Sequence, residues 1–457
     1  MEYCGLIAGT SLALCRALDR EPLIFRRSRT AVGPEGVAPS RERRPVFYGW
    51  WIVLTGAVLT LLQGALLGQA YGSYVVVLSA EFGWSRTLLS GASALREMES
   101  GLIGPVQGWF LDRVGPRRVA RAGIVILAIG FMLFSQVQNP VMFYVAFLIM
   151  AIGASLMGYL TTTYTVVQWF ERKRSTALSL TSMGGALGGV IVPLTVVALE
   201  TFGWRTTAFL SGVVVLVVGL PMAQVLRREP SDMGLAADGD PVEVVDPDAP
   251  PVLFRPGDFT LREALREASF WWLSLGHGFA LFVVASVNVH MISHLTETLD
   301  YSLSRAGFVY SALTSMFIVG TLAGGWIGDR FSKRWMAFGC MSGHCVGMLL
   351  LSHANGSLMV IAFVVIHGLA WGMRGPQMAA LRAEYFGRTA FGKIMGVSNG
   401  VIIIGTIAGP LIAGYVYDQT GSYRIGFDIL AAFALAGSIF FVLARRPPPP
   451  DRTLATA

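Results

Sequence analysis

Charged residues are what this sequence has least of. Asp, Glu, Lys and Arg make up 14% of its 457 residues, whereas soluble proteins carry about 25%, so a soluble fold is excluded. Lysine is scarcer still: Lys173, Lys333 and Lys393 are the only three among 35 basic residues, and all lie in loops between apolar runs. Cysteine is limited to Cys4, Cys15, Cys340 and Cys345, without the spacing of a zinc site or the density of a disulfide framework. The last two fall in an apolar segment, where cysteine acts as a small hydrophobe. No nucleotide-binding loop and no nucleophile triad is evident, so an enzyme, a cofactor and a metal are not expected. The formal charge of +7 does not argue for nucleic acid, because the basic residues gather in short loops between apolar runs, the arrangement that sets membrane orientation.

What is abundant is hydrocarbon, with 54% of residues hydrophobic. A bilayer-crossing helix needs about 20 apolar residues, and twelve candidate spans begin near Gly49, Thr87, Arg117, Pro140, Arg174, Arg205, Ser269, Arg305, Lys333, Ser357, Phe391 and Tyr423. If the amino terminus is cytosolic, the inner segments hold 29 basic residues and the outer loops only Arg86, Arg205, Arg305 and Arg424. Both termini are accordingly expected in the cytosol of a multi-pass plasma-membrane protein. The excess of arginine over lysine points to a GC-rich bacterial source, hence to an inner membrane. Residues 1–46 read as a cytosolic tail rather than a signal peptide, since no basic region precedes CGLIAGTSLALC and an Arg-rich segment follows it. Residues 227–267, rich in Pro and Asp and without a periodic apolar face, read as a cytosolic linker. The linker divides a bundle over 47–226 from a second over 268–445, and 446–457 form a short tail.

The two halves repeat each other at an offset of about 217 residues. GWFLDRVGPRR (108–118) matches GWIGDRFSKRW (325–335), Trp169, Phe170 and Arg172 match Tyr385, Phe386 and Arg388, and Pro193 matches Pro410. Ordered matches of this kind indicate duplication. Duplicated six-helix units in turn imply a transporter with its site between the halves near the midplane.

Gly108, Asp112, Arg113, Gly115, Arg117 and Arg118 form G-x3-D-R-x-G-x-R-R, the loop signature of the major facilitator superfamily, and Gly325, Asp329, Arg330 and Arg334 form a second copy. The chain resembles that superfamily over residues 47–445. The resemblance implies an all-α membrane protein, with twelve transmembrane helices in two pseudo-symmetric six-helix bundles, that carries a solute by alternating access. It also implies a latch: Asp112 faces the amino-terminal end of the helix near Phe391, Asp329 that of the helix near Arg174, and the arginines hold neighbouring spans. A carboxylate so placed gains about 0.3 to 2 kcal/mol. YGWW (48–51), EFGWSR (81–86) and Arg374 in GMRGPQ are similar to the branch of monocarboxylate porters and oxalate/formate antiporters. That likeness implies a small organic anion as partner; the acids buried within the spans add the expectation of a monocarboxylate moved with a proton, and a monomer is expected in the bilayer. Efflux of apolar or cationic compounds, and solute sensing without transport, stay open as alternatives.

Charges inside spans carry the rest. Glu99 lies thirteen residues before Asp112, about 20 Å into its helix, where a charge facing lipid costs on the order of 3 kcal/mol. Arg96 and Glu99 share a helical face and are expected to pair, while Glu97 points about 100° away from Arg96. The three serve either as an ion pair fixing helix register or as a site of proton coupling or gating. Arg374, about 14 Å into the tenth span, suits bidentate capture of a carboxylate; pairing with Glu97 is the alternative. His290 with Asn288 in the seventh span, Gln63 in the first, and Tyr159 with Thr163 in the fourth offer hydrogen bonds to a substrate, or simply pack. His290 and His294 share a face, yet no further zinc ligand is evident. Packing is favoured for His277, His344, His353 and His367, and the glycines of SMGGALGGVIVP and GTIAGP are read as close helix contacts. Arg424 and Asp428 are read as an interfacial pair.

Overall fold

A computed structural model of the chain describes residues 46–240 and 257–450. Most of the amino-terminal tail, the middle of the linker (241–256) and the end of the carboxy-terminal tail lie outside the described residues. Twelve long helices are found among those described. In chain order they are α1 (Gly49–Phe82), α2 (Arg86–Val114), α3 (Pro116–Phe134), α4 (Pro140–Trp169), α5 (174–202), α6 (204–225), α7 (Ala268–Thr298), α8 (Leu303–Gly328), α9 (Lys333–Ser352), α10 (Ser357–Phe386), α11 (Phe391–Thr420) and α12 (Tyr423–Leu443). α5 and α6 run on without a loop except at Gly203, whose φ of 76° breaks the helical path at a conformation that favours glycine.

Ten of the helical stretches are long and apolar enough to cross a membrane; α2 and α3 are the exceptions. α2 holds Arg96, Glu97, Glu99, Asp112 and Arg113, and α3 opens with Pro-Arg-Arg-Val-Ala-Arg. The charges that disqualify them by composition are those that the protein must shelter from lipid.

Burial divides at mid-chain. Apolar side chains of α1–α6 form one cluster, joined by Ala379, Phe391 and Met395, and those of α7–α12 form a second. Glycines set the closest helix contacts: a Cβ on Gly184 would collide with the Ala57 carbonyl, drawing α5 onto α1, and one on Gly405 with the Gly278 carbonyl, drawing α11 onto α7. Without lipid-driven hydrophobic association, such small-residue contacts let backbones approach and gain dispersion energy.

The described ends of the linker are anchored rather than merely polar. Asp238 accepts from the backbone N–H groups of Glu171 (3.1 Å) and Arg172 (2.8 Å), just before α5. Asp258 accepts from those of Arg388 (3.0 Å) and Thr389 (2.8 Å), just before α11. One linker aspartate thus caps the corresponding loop of each half. Asp258→Ala removes the acceptor of two part-buried N–H groups and is expected to cost about 1–2 kcal/mol, a fall of about 2–4 °C in the unfolding midpoint of the detergent-solubilised protein. Asp258→Asn, which keeps an acceptor, is expected to lose less; equal melting of all three proteins would refute the capping role.

Candidate functional site

Two aspartates join the halves at the face where the basic loops lie, here called the basic face. Asp112, on the last turn of α2, accepts from the N–H groups of Gly392 (3.2 Å) and Lys393 (3.1 Å) at the start of α11. Asp329, directly after α8, accepts from Ser175 (2.7 Å) and Thr176 (3.1 Å) at the start of α5. These donors have no partner within their own helices, and a hydrogen bond to a charged acceptor contributes about 1.5–3 kcal/mol. Gly108 lies one turn before Asp112, where a Cβ would collide with the Gly392 carbonyl; one on Gly325 would sit 2.9 Å from the Ser179 Cβ. Gln168 and Arg388 exchange hydrogen bonds of 2.7 and 3.0 Å, and Arg388 also pairs with Glu171. Toward the opposite face, α1 and α7 make no comparable contact among the described residues. The molecule is closed at its basic face.

The latch arginines divide by partner. Arg117 reaches Gln224 in the last turn of α6, and Arg334 reaches the carbonyls of Phe441 (3.0 Å) and Val442 at the end of α12. Arg113 and Arg330 stay on their own helices, 5.2 Å over Trp109 and 4.1 Å over Trp326. Arg118 is exposed. Arg228, from the linker, donates to the Asp112 carbonyl at 2.6 Å.

Between the faces, two helices lose their regular backbone where they meet. α1 passes through a π-helical turn at Gly64–Gly68, and α4 is interrupted at Gly158. A Cβ on Gly158 would sit 2.5 Å from Gln63 Oε1, so the Gln63 side chain rests on that break. Irregular backbone at membrane depth is tolerated where it is buried in protein or lines a cavity, and π-turns recur at functional sites.

The charges of α2 do not pair as their spacing implied. Arg96 binds Glu97 at 3.0 Å, both about one-third exposed. Glu99, only 5% exposed, accepts from the Ser155 hydroxyl of α4 at 2.8 Å, and its Oε1 has no hydrogen-bond partner. Gln107 bridges the same two helices, donating to the Ser155 carbonyl (2.7 Å) and to the Thr161 hydroxyl (3.1 Å). Helical spacing fixes where a Cβ points, but the long arginine stem can turn its head to an adjacent residue while Glu99 faces α4.

Arg374 is the largest departure from ordinary burial. It is 1% exposed, its Nε and Nη1 lack hydrogen-bond partners, and it makes no ion pair among the described residues. Glu97, its alternative partner by sequence, is engaged by Arg96. Around it, within electrostatic reach, lie Cys340, His277, His344, His367, Arg382 and, from the first half, Tyr159. Tyr159 opens the second segment of α4 and is 39% exposed, while Thr163, one turn on, is 1% exposed. α10, which carries Arg374, packs against α4 and α5 of the first half. An uncompensated buried guanidinium costs several kcal/mol, a cost that proteins carry at sites of function.

Arg382 was missed by the reading of spans, which counted it with the basic loop. α10 continues to Phe386, and Arg382 is 1% exposed within it. It donates to the carbonyls of Met378 (3.0 Å) and Leu273 (3.4 Å) and lies 3.5 Å from His277 Nδ1. Its two-turn separation from Arg374 was the available signal.

The family model for the Major Facilitator Superfamily matches residues 53–320 and 273–457. The chain belongs to the major facilitator superfamily. It is 25% identical over 403 residues to monocarboxylate transporter 13 of Bos taurus, covering 86% of this chain and 88% of that protein. It is likewise 25% identical over 451 residues to the gentisate transporter of Corynebacterium glutamicum, covering 96% and 94%. Among solved structures, the proton:xylose symporter XylE bound to 6-bromo-6-deoxy-D-glucose has the same fold, with a TM-score of 0.67 at 15% identity over 88% of this chain and 96% of that one. This facilitator is a multi-pass membrane transporter and not an enzyme.

Several candidate side chains of the facilitator are turned into its own helix contacts. His290 Nε2 lies 2.9 Å from the Pro410 carbonyl of α11, and Asn288 Oδ1 accepts from the Tyr310 hydroxyl at 3.3 Å. His294 bonds to the Leu351 carbonyl at 3.0 Å, and no group of metal ligands is found among the described residues. His344 and His367, both fully buried, meet Nδ1 to Nδ1 at 3.2 Å, so one ring donates and the other accepts. Asp428 bonds to Ser352 at 2.7 Å and lies 3.5 Å from His353, while Arg424 supplies only its carbonyl to Ser352. The expected Arg424–Asp428 pair is therefore replaced by contacts to the end of α9, which packs alongside.

Proposed function

We propose that this facilitator is a secondary active transporter of a small organic anion, coupled to a proton and working by alternating access. The observation that carries the reading is the buried Arg374, with two unbonded donor nitrogens and no protein carboxylate. A planar, always-charged fork of donors matches a carboxylate bidentately. The printed names of the two relatives, one for monocarboxylates and one for gentisate, support an acid as substrate. Gln63, Tyr159 and Thr163 supply neutral hydrogen bonds from the first half. His290 and Asn288, engaged with Pro410 and Tyr310, are set aside from the site.

Glu99 takes the proton, because its Oε1 is buried and unbonded while Ser155 holds the other oxygen. The Arg96–Glu97 pair, about one-third exposed on the same helix, gates access. Uptake of a lone monovalent anion against 100 mV, inside negative, costs about 2.3 kcal/mol, which a co-transported proton removes. By the positive-inside rule the basic face is cytosolic and the structure is outward-facing, with Asp112 and Asp329 as its latch. The protein acts as a monomer in a bacterial inner membrane.

The reading is tested with purified protein in proteoliposomes and a panel of labelled carboxylates, with and without an acid-outside gradient. The gradient is expected to drive accumulation. Glu99→Gln is expected to keep gradient-independent exchange and lose accumulation. Uptake that ignores the gradient in the wild type overturns proton coupling, and absence of uptake for every acid overturns the anion reading.

A further inference from the structure

We infer that α8 and α10 form a binding site for an anionic phospholipid of the leaflet opposite the basic face, with one acyl chain in the groove between the helices and the phosphate on Arg305.

A cavity of about 540 Å³ opens between the first halves of α8 and α10, lined chiefly by apolar side chains such as Phe308, Met316, Ile361 and Val365. Ser315, the hydroxyl in its wall, donates to the Ser311 carbonyl of its own helix at 2.9 Å, so the wall offers a ligand no free donor. From Arg305 to Met316 the groove runs eleven residues, about 16 Å along the helix. That is close to half of a hydrocarbon core about 30 Å thick, the depth of one leaflet.

The groove faces lipid rather than the passage between the halves. Exposed positions of α8 at Phe308, Ala312, Ser315, Val319, Leu322 and Trp326 recur at spacings of three and four and form one continuous stripe. Trp326 lies three residues before the latch aspartate Asp329, at the closed basic face, where a side chain turned toward the other half would be covered. It is exposed instead. Tyr310, on the other side of α8, turns to Asn288 of α7 at 3.3 Å.

The end of the groove away from the basic face carries a cation. Arg305 is exposed in the first turn of α8, lies 3.8 Å over the Tyr301 ring, donates to the Ser357 hydroxyl at 2.9 Å, and forms no ion pair among the described residues. The same turn holds no acid, so the guanidinium sits uncompensated against the positive end of the helix dipole. Ser357 Oγ accepts from both Arg305 and Tyr301 (3.4 Å), which leaves its own hydrogen to donate. A guanidinium fork beside a hydroxyl suits a phosphate, and an acyl chain hanging from that phosphate enters the groove below it. A zwitterionic headgroup brings its own cation toward Arg305 and gains less.

The test places the full-length protein in proteoliposomes doped with phosphatidylglycerol or phosphatidylcholine, each carrying a diazirine near the end of one acyl chain, and maps photo-crosslinks by peptide mass spectrometry. Labelling of the groove is measured relative to the exposed stripe of α11 at Ile404 and Leu411. This ratio is expected to be at least about fivefold higher for phosphatidylglycerol, the preference that one basic side chain confers on an anionic lipid. Arg305→Gln is expected to remove the difference between the two lipids, and Ala312→Trp, which fills the groove, to lower groove labelling by both. Equal ratios in the wild type show annular lipid only and overturn the proposal, as does unchanged groove labelling in Ala312→Trp. Should Ala312→Trp fail to fold, the wild-type ratio and Arg305→Gln still decide, and a preference that survives Arg305→Gln refutes the phosphate site.

Discussion

Arg374→Ala is expected to lower carboxylate uptake by at least about 30-fold while leaving the protein as heat-stable as the wild type, or more so. The first effect follows from removing the cation that meets the substrate, since truncating one partner of a buried charge pair costs about 2–5 kcal/mol. The second follows from what Arg374 does in the absence of substrate. Its guanidinium is buried with two unbonded nitrogens and no counter-ion, so it contributes a desolvation penalty and little compensation. Alanine removes that penalty at the cost of a cavity. Arg374→Lys is expected not to rescue uptake, because a point charge on a flexible stem cannot reproduce the planar fork. Uptake kinetics and melting of the purified protein read both effects, and a variant that transports normally but melts early would make Arg374 a structural residue.

Gly108→Val is expected to abolish transport by preventing closure of the basic face. A side chain at this position meets the Gly392 carbonyl, which is backbone in the first turn of α11 and cannot swing aside as a side chain would. Overpacking of this kind costs about 1–3 kcal/mol or more, which shifts a two-state equilibrium by about 5- to 150-fold. The collision also falls where Asp112 accepts from Gly392 and Lys393, so steric and latch terms act in the same direction. Spin labels on the exposed loops after α2 and after α8 should report a longer distance in the variant. An unchanged distance distribution with normal uptake would refute the role given to this contact.

Much of the architecture was legible because the bilayer leaves so few options. The starts of α4, α9, α10, α11 and α12 fall at Pro140, Lys333, Ser357, Phe391 and Tyr423, the residues at which basic or turn-forming sequence gives way to apolar runs. The contacts of Asp112 and Asp329 join elements far apart in the chain, and their motif marks both aspartates in sequence. The broken backbones of α1 and α4 were not legible: LLQGALLGQA carries no proline and no charge, so a π-turn and a straight helix leave the same pattern. Arg382 was hidden for a related reason, since LRAEYFGR carries enough charge to pass for loop. The linker's aspartates were hidden because capping depends on which backbone N–H groups arrive nearby, and composition carries no such information.

Residue order alone determined that this chain spans a membrane many times, that its halves repeat, and which face carries its basic loops. Each of these depends on transfer free energies and charge positions that are properties of short segments. Only the tertiary structure decided that Arg96 meets Glu97, that Glu99 meets Ser155, and that two arginines of α10 are buried without a carboxylate. Those outcomes are set by how side chains on separate helices divide a small number of partners in a medium that cannot solvate them, and a local pattern has no means of recording it.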